Sequence, residues 1–209
     1  MSCSSHFINN LYKSKKILLE ILEERGYDIS QQNNFTENEI RIMCNEKQLD
    51  FDVSNADDTK KVYIRYLVYS KIRNNSLKNY INDFLELNPD FDAEKCELII
   101  ILKEKPNDSL LKVVDDFYMG NKVYINLLYI KMLLFNLLNH EYVPEHKKIT
   151  EEEFKELKKT FNLNSRYQLP IISRHDAVST ILGIRPGEIV KILRPSLTSG
   201  QYKTYRCCK

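Results

Sequence analysis

Asp50 and Asp52 flank Phe51. Residues two apart on a strand share a face, so the two carboxylates would stand side by side. Two like charges that close can raise one pKa or hold a divalent cation. The wet face of an edge strand carries the same pattern, and that is the plainer reading. His140 and His146 bracket Val143-Pro144; six residues apart across a proline, they are poorly spaced to share a metal. Cys3, Cys44, Cys96, Cys207 and Cys208 form no Cys-x-x-Cys pair, and the four histidines do not complete a zinc set. Reduced structural thiols are expected, with no metal and no cofactor. Neither a glycine-rich phosphate loop nor a nucleophile elbow occurs. Function must therefore be argued from assembly.

Two groups of cations suit that argument. Lys103, Lys105, Ser109 and Lys112 surround Pro106 at an expected helix start, where amides and ammonium groups can meet phosphates. An ordinary solvated turn would look the same. Arg185, Lys191, Arg194, Lys203 and Arg206 form a second set near the end of the chain. Arginine's forked donors fit a partner's carboxylate or carbonyl, and some will cap their own fold.

Overall 43% of residues are apolar and 29% charged, ordinary for a soluble globular protein. The net charge of +2 hides an asymmetry. From residue 140 onward thirteen basic residues oppose eight acidic ones, while the preceding part has eighteen against twenty-one. That polarity suits a terminal module docking on an acidic surface but is too weak to establish nucleic-acid binding. The richest apolar stretch, 123–138, is interrupted by Lys131 and two asparagines, so no membrane span is expected. The first residues carry neither a basic leader nor a signal core, and an intracellular protein is expected.

Length allows one large domain or two small ones. Phe7, Leu11, Leu18 and Leu22 recur at helical spacing, with Lys13, Lys15 and Lys16 expected outside and Gly26 as the stop. Residues 40–44 and 49–53 alternate apolar and polar around Asn45-Glu46-Lys47-Gln48, which predicts a hairpin. A strand is expected over 62–69 and a helix capped by Ser76, burying Leu77, Tyr80, Ile81, Phe84 and Leu85. Leu98-Ile99-Ile100-Ile101-Leu102 reads as a strand covered on both faces. A helix running through Phe117 and a strand over 123–127 follow. Helices alternating with buried strands predict a three-layer α/β unit over 1–139.

Residues 140–148 read as a hinge before a second unit over 140–209. Thr150-Glu151-Glu152-Glu153 is a capping box opening a helix whose apolar face is Phe154, Leu157 and Phe161. A short helix over 176–182, capped by Ser173 or His175 and stopped by Gly183, precedes a Pro186-Gly187 turn. Residues 188–193 and 202–207 then pair as a hairpin, giving a small α/β domain. On it Lys191 and Lys203 share a face while Val190 and Ile192 pack inward.

The ordered series His140-Glu141-Tyr142-Val143-Pro144-Glu145-His146, Leu169-Pro170, Gly183-Ile184-Arg185-Pro186-Gly187, Arg194-Pro195-Ser196 and Gly200-Gln201-Tyr202-Lys203-Thr204-Tyr205-Arg206 closely resembles the carboxy-terminal domain of RNA polymerase subunit five. That family is shared by the nuclear polymerases and has an archaeal counterpart that consists of the tail domain alone. Asp176-Ala177 departs from the family's Asp-Pro. Earlier, Lys15-Lys16-Ile17-Leu18 and Glu24-Arg25-Gly26-Tyr27 resemble its first helix and exit. The amino-terminal part makes the chain look eukaryotic-type. Abundant asparagine, lysine and isoleucine fit a large DNA virus or a protist.

The resemblance implies a non-catalytic subunit of DNA-directed RNA polymerase. It implies a restriction-endonuclease-like jaw domain over 1–139 and an assembly domain over 140–209. Docking on the largest subunit would use His140, Pro144, His146, Arg185, Arg194, Ser196, Gly200, Tyr205 and Arg206, with the two histidines as backbone-bonding hinge residues. Downstream duplex DNA would lie near Lys103, Lys105, Pro106, Ser109 and Lys112, where Lys105-Pro106-Asn107-Asp108-Ser109 stands in a longer, more acidic version of the family's loop. Other polymerase subunits are expected partners; no membrane and no small-molecule ligand are. The implied location is the nucleus, or a virus factory or virion if the chain is viral. Two other readings stand beside it. One is a free transcription-associated binding module. The other is a metal-dependent nuclease using Asp90 or Glu97, although Glu97 is followed by Leu98-Ile99 and lacks the lysine that chemistry needs.

Overall fold

A computed structural model of the chain describes residues 4–32, 35–57, 59–196, 198 and 200–209. Two compact units divide between Asn136 and Leu137. Both mix helix and sheet, the α/β class expected from the alternation of elements.

The first unit opens with α1 (Ser5–Glu24), capped by the Ser4 hydroxyl, which accepts from the Phe7 N–H. Its end is a left-handed stop at Gly26, φ +85°. There the Gly26 and Tyr27 N–H groups return to Glu23 and Leu22, satisfying carbonyls the helix cannot. Lys15 is not outside: it is buried, its ammonium 4.9 Å from the Phe35 ring centroid and 4.8 Å from that of Phe51. The aromatic faces supply the negative potential that compensates for lost water.

The expected hairpin at 40–53 is half wrong. Residues 37–46 form a helix, α2 (Glu37–Glu46), started by a capping box in which the Thr36 hydroxyl and Glu39 carboxylate exchange bonds with each other's backbone. Ile40 and Cys44, four apart, are buried while Ile42 is exposed. Burying Ile40 contributes roughly 1.5–3 kcal/mol. Together with the cap, that outweighs the weak preference that the alternating pattern expresses.

Four strands follow: β1 (Phe51–Ser54), β2 (Lys61–Leu67), β3 (Cys96–Leu102) and β4 (Ile125–Tyr129). They lie in the order β1-β2-β3-β4, with β1 antiparallel to β2 and the other pairs parallel. The parallel pairs need crossovers, supplied by α3 (Asn74–Leu87) and α4 (Asp108–Asn121). The α3 start differs from the expected Ser76 cap: the N-cap is Arg73, without a side-chain bond. Every residue of β3 is buried. Leu98, Ile100 and Leu102 share a core with Leu77, Ile81 and Val114 from the two crossover helices. Glu97, Ile99 and Ile101 must then face the other side, where Arg25 at the end of α1 meets Glu97. The result is helix, sheet, helix.

The second unit contains β5 (Glu145–Lys148), α5 (Glu151–Thr160), β6 (Ile171–Ile172), α6 (Ala177–Leu182), β7 (Ile189–Ser196) and β8 (Gly200–Cys208). Its sheet runs β5-β7-β8-β6. Residues 145–148 are thus not only hinge; they pair antiparallel with 190–193. Thr150 and Glu153 make the expected capping box. Phe161 lies past the α5 end and is exposed, its ring 6.3 Å from that of Tyr205. The α6 cap is Asp176, not Ser173 or His175, and Gly183 closes the helix at φ +62°. Arg185 to Glu188 makes the turn, with Gly187 at φ +89° and the Glu188 N–H donating to the Arg185 carbonyl at 3.0 Å. A small core of Ile172, Ile184, Val190, Ile192 and Cys208 lies on one face.

Candidate functional site

The acidic candidates are separately engaged. Asp52 pairs with Arg65 at 2.6 Å and Lys61 at 3.6 Å, whereas Asp50 accepts the Tyr66 N–H at 2.7 Å. Asp90 sits in the turn between α3 and β3, and Glu97 is buried in β3. Glu97 receives the Arg25 guanidinium on both oxygens and the Asn126 amide at 2.6 Å. Burial lowers the Arg25 pKa, but the charge of Glu97 and its hydrogen bond more than reverse this, so the net shift is upward. The Glu97 carboxylate is committed to holding α1 on the sheet. Among the described residues no group of three or more His, Cys, Asp or Glu is placed to hold a metal ion.

The histidines and cysteines are also locally engaged. The His140 ring accepts the Tyr142 N–H at 3.2 Å, and the His146 Nδ1 lies 2.6 Å from the Pro144 carbonyl. Cys44, Cys96, Cys207 and Cys208 are in no disulfide and are buried; Cys3 lies outside the described residues. Burial pushes the Cys207 thiol up and that of Cys208 to about 11.

The cationic loop of the first unit lies at the carboxyl ends of β2 and β3. The Asn107 side chain caps α4 by accepting the Leu110 N–H at 3.0 Å. Ser109 turns its hydroxyl to Asn107 at 2.9 Å and Asn74 at 3.1 Å. Lys103, Lys105, Pro106 and Asn107 lead into α4, and Lys112 is exposed one turn further on. A cleft of about 280 Å³ is lined by Lys103, Lys105 and Asn107, and also by Tyr69 and Lys71 from the loop after β2. Lys112 and Ser109 do not line it. Lys71 was missed in the sequence because it is 32 positions from Lys103. The signal that could have found it is the parallel pairing of β2 with β3, which gathers loops at one sheet end.

In the second unit the basic residues separate along one hairpin. Val190 and Ile192 pack inward, and the register puts Lys191 and Lys203 on the opposite face. Arg194 faces Tyr202 near the tip, Ser196 faces Gly200, and Gly200 has φ +71°. Leu197 and Ser199 lie outside the described residues. Glu145 opposite Leu193 brings Pro144 to the level of Arg194. His146 faces Ile192 in the middle, Tyr205 faces Lys191, and the Arg206 guanidinium donates to the Ile171 carbonyl at 3.2 Å. Arg185 belongs to the far end, beside Glu188. Eight β7 residues span roughly 25 Å. The docking candidates are therefore spread along the sheet and divided between its faces, with Arg194, His146 and Arg206 on the Val190 face and Tyr205 on the Lys191 face.

Two α/β units with four-stranded sheets, one mostly parallel and one hairpin-centred, define the structural class. Residues 135–208 match the family model "RNA polymerase Rpb5, C-terminal domain". Nearly the entire chain is similar to "DNA-directed RNA polymerases I, II, and III subunit rpabc1" of Dictyostelium discoideum, 28% identical across 96% of this chain and 98% of the relative. The "DNA-directed RNA polymerase V subunit 5A" of Arabidopsis thaliana is 26% identical across 98% and 90%. The "DNA-directed RNA polymerases I, II, and III subunit RPABC1" of Caenorhabditis briggsae is 28% identical across 94% of each.

Proposed function

We propose that this chain is a non-catalytic subunit of a multi-subunit DNA-directed RNA polymerase. Similarity over almost its full length to such a subunit carries the reading. In support of it, the Asp52 and Glu97 carboxylates are each engaged by an arginine of the chain's own fold. The unit over 137–209 acts as the assembly domain and docks on the largest subunit through the sheet that carries Arg185 and Arg194. The first unit acts as a jaw element near incoming duplex DNA, with the lysine-lined cleft turned to the phosphates. The corresponding location is the nucleus for a cellular polymerase and a virus factory or virion for a viral one.

The test is purification of the tagged full chain from its native cells, with native mass spectrometry of what accompanies it. A polymerase subunit is recovered almost entirely in one large assembly containing the largest subunit. Recovery mainly as a free chain supports an independent binding module and sinks this reading. Magnesium- or manganese-dependent DNA cleavage by the pure chain, lost in Asp90→Ala, would restore the nuclease.

A further inference from the structure

The strands of the second unit differ in how their edges are closed. The Cys208 N–H donates to the Glu188 carbonyl and its own carbonyl accepts the Gly187 N–H, both toward β7. The Cys207 N–H instead donates to the Pro170 carbonyl on the β6 side. Alternation along β8 then aims the backbone groups of Lys203 and Tyr205 away from β7. On that side β6 pairs with Cys207 and Cys208, and its Ile172 carbonyl accepts the Lys209 N–H. Among the described residues nothing pairs with Lys203 or Tyr205 there.

The opposite side of the sheet is guarded. Beyond Glu145 the outer side of β7 reaches Pro195, which has no N–H to offer. The edge strand β5 is four residues of Glu-His-Lys-Lys, short and charged. The edge of β8 keeps alternate donors and acceptors beside exposed apolar groups: Tyr205 contacts the exposed Phe161, and Ile171 is 54% exposed. The register puts Lys203, Tyr205 and Ile171 on one face.

We propose that the outer edge of β8 receives an extended polypeptide segment of a polymerase partner, which becomes a fifth strand of this sheet in line with β6. This rests on the docking reading above and specifies how docking occurs. Backbone bonds to Lys203 and Tyr205 supply affinity, and alternate side chains supply selectivity. The occupant presents an apolar side chain toward Tyr205 and Phe161 and an acidic one toward Lys203, matching the basic surplus of this unit.

The experiment compares amide hydrogen exchange of the full chain alone and in polymerase purified through it. Strand addition slows exchange at Lys203 and Tyr205 at least tenfold in the assembly. Lys203→Pro removes an outward donor while leaving the bonds to β7, and lowers incorporation at least tenfold more than Lys203→Ala. Circular dichroism of both variants checks that the sheet persists. If the assembly forms but those amides exchange as in the free chain, the strand-addition proposal is overturned and docking survives. If Lys203→Pro unfolds, the exchange comparison on the unaltered chain still decides. If no assembly forms with the unaltered chain, the docking reading itself fails.

Discussion

The Arg25 guanidinium closes on the Glu97 carboxylate from 72 positions away, joining the exit of α1 to the middle strand of the parallel sheet. Both side chains are nearly inaccessible, at 9% and 4% exposure. A pair so deeply withdrawn from water contributes little net stability, but losing one partner strands a charge.

Glu97→Ala is therefore expected to destabilise the first unit by about 3–5 kcal/mol. Adding Arg25→Met to Glu97→Leu should recover the larger part. Urea unfolding of the full chain measures both; a loss below about 1 kcal/mol in the single variant would contradict the buried pairing.

Arg194→Glu is expected to reduce incorporation into polymerase without unfolding the chain. Arg194 is exposed near the hairpin tip and makes no core contact. Unchanged recovery of the largest subunit with this variant would remove Arg194 from the docking surface.

Replacing Lys71, Lys103 and Lys105 by alanine should weaken binding of the full chain to duplex DNA and flatten its salt dependence. Each lysine that meets a phosphate contributes about 0.9 to the slope of log K against log salt. A slope identical to the parent's would show that the cleft does not face DNA.

Cys207 and Cys208 should resist iodoacetamide at neutral pH until the chain is unfolded, because the reactive thiolate is suppressed. Burial raises the folded pKa of Cys208 above the ordinary 9.0, so the protonated thiol is favoured in the folded state. That stabilisation is full below about 9 and disappears as pH rises through about 11. Mass spectrometry after native labelling checks the first point, and a stability profile of Cys208→Ala against the parent checks the second.

Long patterns were legible in the sequence: the apolar run of β3, the Thr150 capping box and the Gly26 and Gly183 stops each express one local physical preference. The error at 40–44 arose from reading alternation where Thr36-Glu37-Asn38-Glu39 already announced a helix start, the same signature recognised at Thr150. Lys15 was misread because an aromatic sandwich from Phe35 and Phe51 is a tertiary event. Glu97 was weighed as a nuclease carboxylate; a charge inside an apolar strand needs a cation, and only the fold nominates Arg25. Lys71 joined the lysine cleft by the same route, through strand pairing and not through spacing.

The parallel arrangement of β2, β3 and β4 has a kinetic consequence. Neighbouring strands there cannot zip together from a tight bend, because a whole helix must first travel back across the sheet. The β7–β8 ribbon faces no such delay and can nucleate early. Nascent chains should thus hold their hydrophobic middle strand bare for longest, making Leu98-Ile99-Ile100-Ile101-Leu102 the segment on which chaperones would act.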